Sequence, residues 1–514
     1  MNNIFFKNFK FFNYNLNLLF FILIAYSQYF SPVISDDWMF YNDYNYFLAD
    51  RPLASFFIIK IHYFIDFSIP YDLFKIIKVV YLFLSYFLLF KFFSLAIEEN
   101  YSKLISFFCI FYPLHDSSNY QIWFITHLLC MIIPFYSFYL LINKKKILSY
   151  LFFVSCIFIS YSALPSQASI ITYNFFRKNY KTAIIFLFLS ICYIFYYFIV
   201  IYYFDTGTQR IGIGIEKKSN ELIFEILSVK NFLIHIFSII DITIGPSHFI
   251  KLYYLILNNS LFTTVISLIL SFYIFKHQKN IKKIKKNNFI SIFSLVILNL
   301  IFAQCLFILS TKFLNIPFGL GNRVNIYVSV LISLIIYLTI ERFNVKLFFI
   351  IILIFFLCFF GSTRYWSKVN LEIFKFKEEI QEINKEYNNY NIFLKNIEYV
   401  KLGPYKHIEL INYQSYLDSF LQTHKINIKN NNFFLLKDIE INNFKNHNNL
   451  LIFDNYKKNK FKKINYIELQ KEHNDYENFY KHRHWIQFLD ISKISFLLPK
   501  HYKSKFIDLN NRDI

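Results

Sequence analysis

Long apolar runs and short polar clusters alternate along the chain in a way that predicts membrane helices. Runs of about twenty apolar residues, the length needed to cross a hydrocarbon layer about 30 Å thick, cover 15–34, 72–97, 122–142, 147–164, 182–204, 258–276, 288–310, 325–341 and 346–361. Two further runs, 102–113 and 166–176, are short, since about eleven residues of helix rise only about 16 Å. They are expected to lie shallow or to break where they line a cavity, because backbone without partners is tolerated only away from lipid. The predicted layout has about eleven spans. The first run is too long for a signal-peptide core and lacks a small-residue cleavage site, so it reads as an uncleaved first span.

Beyond residue 361 the pattern changes. "KVNLEIFKFKEEIQEINKEY" carries an apolar stripe at helical spacing, whereas "NNFFLLKDI", "NNLLIFD" and "KINYIELQ" read as short strands between polar turns. The Asn- and Lys-rich passages within 424–448 read as loops. The expected fold is mainly α, a polytopic helical membrane domain over 1–361 followed by a soluble extracytoplasmic α+β domain over 362–514. Pieces of 41–66 and 222–250 are amphipathic and suited to lie along a membrane surface.

Charge sets the orientation. Lys7, Lys10, "NKKK" at 143–146, "RKNYK" at 177–181, "KHQKNIKKIKK" at 276–286, Arg342 and Lys346 all fall on one side of this layout. The positive-inside rule makes that side cytoplasmic. The first loop (Asp36, Asp37, Asp43, Asp50), the turn "LHDSSNYQ" at 114–121, the loop 205–257, the loop "TKFLNIPFGLGNR" at 311–323 and the tail then lie outside. Composition agrees, because 56% hydrophobic residues and a mean hydropathy of +0.37 are too apolar for a soluble chain of 514 residues. The net charge of +21 comes from clusters between spans and from the tail, so it reports orientation and not nucleic acid. Aromatic residues, at 22%, accompany a general Phe, Ile, Asn, Lys and Tyr bias and identify no base or sugar platform. Cys109, Cys130, Cys156, Cys192, Cys305 and Cys358 sit inside apolar runs without paired spacing, as small buried hydrophobes.

The outer face gathers the polar residues that carry chemistry. Asp36 and Asp37 are either a polar stop after the first span or the carboxylates of a site, where two adjacent like charges raise one pKa towards the range of a general base. His115, Asp116, Trp123, His127, Lys312 and the "GNR" that ends in Arg323 fall on the same side. Arg323 and Arg51 have the fork geometry that suits a phosphate, and Arg323 is also placed to snorkel from a helix end. Trp38 and Trp123 are interface anchors or sugar platforms, and His115 and His127 are packing residues or ligands. Fourteen residues separate Asp37 from Arg51, about 21 Å along an unbroken helix, so Arg323 ranks above Arg51 for the phosphate. "GIGIEKK" at 212–218 lacks the third glycine and the strand–helix setting of a dinucleotide site.

An inner N-terminus, a span ending in "DD", a surface-lying loop with "RPL", spans of uneven length and an outer C-terminal domain together resemble the GT-C glycosyltransferases. Within that class "SDDW…DRPLASFF" is similar to the first outer loop of the GtrII-like O-antigen glucosyltransferases, and the resemblance covers residues 1–361. It implies an inverting hexosyltransferase of the bacterial inner membrane. The donor would be a polyprenyl-phosphate-linked sugar entering from the membrane lipids, and the acceptor a glycan, lipid or protein on the outer face, as in O-antigen or lipopolysaccharide modification. Asp36 or Asp37 would take the acceptor's hydroxyl proton, and Arg323, with Arg51 and Lys312, would hold the leaving phosphate. Trp38, Asn322 and Trp123 would contact substrate. Some members of the wider class bind a divalent cation through acidic outer-loop residues, for which Asp37, His115 and Asp116 are the candidate ligands and Mg or Mn the suitable ions. "LHDSSNYQIW" departs from that pattern, with one acid and no Asp-x-Asp.

Two other classes fit less well. A lipid-linked polysaccharide polymerase would use a large arginine-bearing outer loop, but 205–257 holds only Arg210. A polysaccharide or lipid transporter would place ionisable residues deep within its spans, and apart from edge Lys and His these runs are nearly free of them.

Overall fold

The computed structural model describes residues 16–32, 70–156, 158–204, 229–277, 286–310, 320–342, 345–387, 389–395, 414–424, 432–455 and 460–481, with the single positions 315, 317, 397, 411 and 426. The described chain forms two compact units divided between Trp366 and Ser367. The division lies inside a helix.

Every predicted apolar run carries a helix. The first unit contains α1 (Leu16–Tyr29), α2 (Pro70–Phe93), α3 (Glu99–Ile110), the single turn α4 (Ser117–Tyr120), α5 (Ile122–Ile142), α6 (Lys146–Ser155) and α7 (Leu164–Phe176). It continues with α8 (Tyr180–Phe204), α9 (Val229–Thr243), α10 (Pro246–Leu257), α11 (Leu261–His277), α12 (Lys286–Ser310), α13 (Ile326–Arg342) and α14 (Val345–Glu386), the last running on across the unit boundary. Five described helices are long and apolar enough to cross a membrane, within α2, α5, α12, α13 and α14. The pair α9 and α10, bent by 42°, makes a sixth when counted as one span. The protein is a helical membrane protein, with α1, α6, the described part of α8, and α11 as shorter apolar helices.

Within 205–257, read as an outer loop with a surface-lying piece, residues 229–257 form the α9–α10 pair. The chain breaks at Gly245–Pro246, so the apolar stretch is cut into helices of 15 and 12 residues, each too short to register as a span. Pro246 occupies the start of α10, where its missing N–H costs nothing. The Asp241 carboxylate closes the break by accepting from the Ser247 backbone N–H at 3.2 Å and from the Ser247 hydroxyl. A Cβ at Gly245 would stand 2.5 Å from the Asp241 Cα, so only glycine lets the two helices meet this closely.

Between lipid-exposed helices apolar surface supplies little driving force, so close packing and small-residue contacts decide which faces meet. α2 lies along α5, and α7 along α12. α5 and α6 are joined by reciprocal bonds, Ser137 Oγ to the Ser149 carbonyl and Ser149 Oγ to the Ser137 carbonyl, both 2.8 Å. Phenylalanine fills much of the rest, with Phe108 stacked on Phe355 at 4.0 Å and Phe20 on Phe107 at 4.4 Å between centroids. α10 and α14 cross at Gly361, where a Cβ would fall 1.9 Å from the Leu255 carbonyl oxygen. Asn258 Nδ2 donates to the Gly361 carbonyl at 2.8 Å, and Asn259 Nδ2 to that of Leu357 at 2.7 Å.

The second unit holds a four-stranded sheet in the order β2-β1-β3-β4, built from β1 (Asn391–Lys395), β2 (Asn432–Leu435), β3 (Leu450–Asp454) and β4 (Phe461–Ile464). β1 is parallel to β2 and β3, pairing Ile392 with Phe433 and with Leu451, and β4 closes the edge antiparallel to β3. β1 and β3 are buried at every residue, as expected of strands covered on both faces. α15 (Gln414–Thr423) lies between β1 and β2 in sequence, and α16 (Tyr466–Lys481) follows β4. "KINYIELQ" was expected to be a strand, but only its first two residues are, and α16 starts at Tyr466. Asn465 supplies the helix start, its Oδ1 accepting from the Glu468 N–H at 2.8 Å while Glu468 Oε2 accepts from the Asn465 N–H at 3.1 Å. This reciprocal cap overrides the β-branched pattern.

Gly361→Ala is expected to destabilise the protein by about 1–3 kcal/mol, the usual cost of overpacking, read as a lower unfolding temperature in detergent. An unchanged melt would mean that α10 and α14 separate without penalty.

Candidate functional site

The most polar part of the first unit is built around a residue between two helices. Asp116 follows a 3-10 turn, Pro113–His115, and precedes α4. Its carboxylate is 3% exposed and its Oδ1 lies 2.9 Å from Lys251 Nζ of α10, itself fully buried. The same oxygen accepts from Asn322 Nδ2 at 2.6 Å, and Oδ2 accepts from Trp366 Nε1 at 3.1 Å and Ser362 Oγ at 3.5 Å. Four separate stretches therefore meet at one carboxylate.

A second layer holds these groups in place. Asn322 lies in the 3-10 turn Leu320–Asn325 that leads into α13. Its Oδ1 accepts from the Ser117 hydroxyl at 2.5 Å and the Ser117 backbone N–H at 3.3 Å, while Asn325 Nδ2 donates to the Leu114 carbonyl at 3.0 Å. Tyr120 stacks on Trp366 with centroids 5.0 Å apart, and its hydroxyl meets Thr363 Oγ1 at 3.1 Å. The Tyr120 carbonyl accepts from the buried Lys78 Nζ of α2 at 2.5 Å. Beside α10, the ring of His248 contacts the Ile242 carbonyl at 2.8 Å and the Tyr112 hydroxyl at 3.4 Å.

His115 points away from Asp116. Its Nε2 lies 2.9 Å from the Ile110 carbonyl, which only accepts, so Nε2 carries the proton, and Nδ1 lies 2.8 Å from the Ser329 hydroxyl, which also reaches the Asn325 carbonyl at 2.9 Å. Burial pushes this imidazole down to about 4 from its ordinary 6.5, despite the Ile110 bond and the Asp116 charge, which act the other way.

Next to the hub lies a cavity of about 50 Å³ lined by Ser118, Phe124, His127, Ser162, Arg323 and Tyr327 together with aliphatic side chains. One water needs about 10–15 Å³ of such volume, so a small polar group of several atoms fits. Arg323 is half-buried, its guanidinium 4.2 Å from the centre of the Phe124 ring, a cation–π geometry. The Tyr327 hydroxyl donates to the Ser162 carbonyl at 2.9 Å, and Ser162 Oγ to the His127 carbonyl at 3.0 Å. The cavity thus presents a cation and hydroxyls against apolar walls.

Of the residues singled out in the sequence, His115, Asp116, Asn322 and Arg323 come together here, and His127 lines the cavity. Trp123 lies in α5 beside Phe124. Asp36, Asp37, Trp38, Arg51 and Lys312 lie outside the described residues. The proposed metal role does not fit His115 and Asp116. The first has both ring nitrogens occupied, the second has an ammonium on one oxygen that would repel a cation, and no metal-binding group of three or more His, Cys, Asp or Glu occurs among the described residues. Sequence reasoning missed Lys251, Lys78, Ser362 and Trp366. The signal for the two lysines was a single charge inside an apolar helical stretch, "HFIKLYYLIL" and "IIKVVYLF". No protein-family model matches the chain, and no match is found among curated proteins or solved structures.

Lys251→Met strands a buried carboxylate and is expected to cost about 3–5 kcal/mol. The double variant Asp116→Asn/Lys251→Met should recover most of that loss in thermal melts, and failure to recover would show that the pair contributes by packing and not by charge. His115 gives a pH signature. Its folded pKa lies below its unfolded one, so its share of stability is complete above about pH 6.5 and is lost as the pH falls towards 4. Melts across pH 7.5 to about 4.5 should show that decline, with a shallower slope in His115→Asn.

Proposed function

We propose that the protein is an inverting membrane glycosyltransferase that takes a sugar from a polyprenyl-phosphate donor on the outer face of a bacterial inner membrane. The acceptor is a glycan, lipid or protein, with surface glycan as the favoured class. The reading assumes the eleven-span layout, with a cytoplasmic N-terminus and the C-terminal domain in the periplasm. The observation that carries it is Arg323, a half-buried guanidinium at a cavity with hydroxyl and apolar walls. A group that is anionic at one end and hydrocarbon at the other suits such a lining.

In the proposed reaction the acceptor hydroxyl gives its proton to Asp36 or Asp37, and its oxygen attacks the anomeric carbon. The bond from that carbon to the phosphate oxygen breaks, the electron pair leaves with the polyprenyl phosphate, and configuration inverts. Arg323 stabilises the charge that develops on the leaving phosphate. Asp116 is not the base, because donors already occupy both of its oxygens. No step needs a metal.

A transporter is the second reading, and the buried Asp116–Lys251 pair is what favours it. That pair is internally neutral and fully bonded, which suits a scaffold better than a site that must release and rebind a charge.

Sugar transfer in membranes from a radiolabelled polyprenyl-phosphate sugar tests the proposal. Asp36→Asn or Asp37→Asn is expected to reduce turnover by about 10²–10⁴ with insertion retained. Arg323→Lys should lose nearly as much as Arg323→Ala, about 10²–10³, if a bidentate phosphate contact matters. Full activity in both aspartate variants, or solute uptake without a glycosidic product, would remove the mechanism.

A further inference from the structure

We propose that Asp116, its charge met by Lys251, is a positioning residue that fixes the Asn322 amide and so presents Arg323 to the cavity. The inference rests on reading that cavity as the donor phosphate site and adds how its cation is aimed.

The amide of Asn322 has only one orientation that satisfies its neighbours. A carboxylate accepts and cannot donate, so the end facing Asp116 Oδ1 at 2.6 Å must be the NH₂. The other end then accepts from the Ser117 hydroxyl and the Ser117 backbone N–H. Asp116 and Ser117 are consecutive, so one short piece of backbone reads both ends of the amide and sets the position of the turn Leu320–Asn325. Arg323 is the next residue, and its side chain lies over Phe124 at the cavity wall.

Lys251 completes the device. Two residues of one turn, Asn322 and Arg323, face a carboxylate and an anion site respectively. With its charge met by Lys251 Nζ at 2.9 Å, Asp116 engages the neutral amide, and the guanidinium stays on the cavity side. The same carboxylate without its ammonium would compete with an incoming phosphate for Arg323. Asp116 therefore acts on the substrate only through its neighbours.

The test uses the full-length protein in detergent and follows modification of Arg323 by phenylglyoxal, by mass spectrometry, with and without farnesyl phosphate. In Asn322→Ala the untethered turn releases the guanidinium to solvent, and modification is expected to accelerate about tenfold, corresponding to the loss of more than one buried hydrogen bond. Asp116→Asn should act in the same direction. Ser117→Ala, the mildest change, should accelerate it about fivefold, the equivalent of one such bond. Arg364, which donates to the Asn258 carbonyl, should react at the parental rate throughout, separating repositioning from general loosening. Wild-type rates at Arg323 in Asn322→Ala and Asp116→Asn would overturn the inference, as would equal acceleration at Arg364. If farnesyl phosphate fails to protect Arg323 in the parent while the rate differences persist, the phosphate reading falls and the positioning role stands.

Discussion

A carboxylate and an ammonium withdrawn from water must be solvated by the protein itself. The effective penalty is several kcal/mol for each ion, and mutual attraction offsets it only when the remaining lone pairs and protons are also satisfied. Asp116 has its lone pairs met by groups brought from α10, α14 and the turn before α13. The architecture of the first unit follows from this demand. α10 carries Lys251 inward, and α14 carries Ser362 and Trp366 to the same point. Packing alone would tolerate many arrangements of these helices, since lipid tails are as apolar as the side chains they would replace.

The hub and the cavity divide the labour between charge balance and exposure. Asp116, Lys251, Lys78, His115 and Trp366 are all buried, whereas Arg323, one residue from Asn322, retains access to the cavity. Polar networks of this kind specify a single arrangement because a half-satisfied version is worse than an apolar one. Rigid support beneath a partly exposed cation fixes the direction in which its guanidinium can donate.

Helix positions were legible from the sequence because a hydrocarbon layer demands unbroken apolar runs, and α5 coincides with its predicted range of 122–142. The polar residues between runs, His115, Asp116 and the "GNR" turn, were also legible as a group. Their roles were not. Asp116 looked like a metal ligand because its counter-ion lay 135 residues away in a stretch read as a loop, and hydropathy gives no sign of a contact across that distance. β1 escaped notice because "NIFLK" is short and fully buried, without the alternation that marks a half-exposed strand. α16 was hidden by β-branched residues whose preference is outweighed by the cap at Asn465.

The crossing of α10 and α14 bears on how the hub can move. Gly361 rests on the Leu255 carbonyl, one residue before Ser362, and Leu255 is one turn beyond Lys251 on α10. Sliding either helix along the other would drive a neighbouring Cβ into that oxygen, so the seat acts as a registration stop and fixes the depth at which Lys251, Ser362 and Trp366 reach Asp116. The 3-10 turn before α13 is instead tied to Asp116, Ser117 and Leu114 through the side chains of Asn322 and Asn325, so side-chain bonds and not a helix seat hold that flank of the hub.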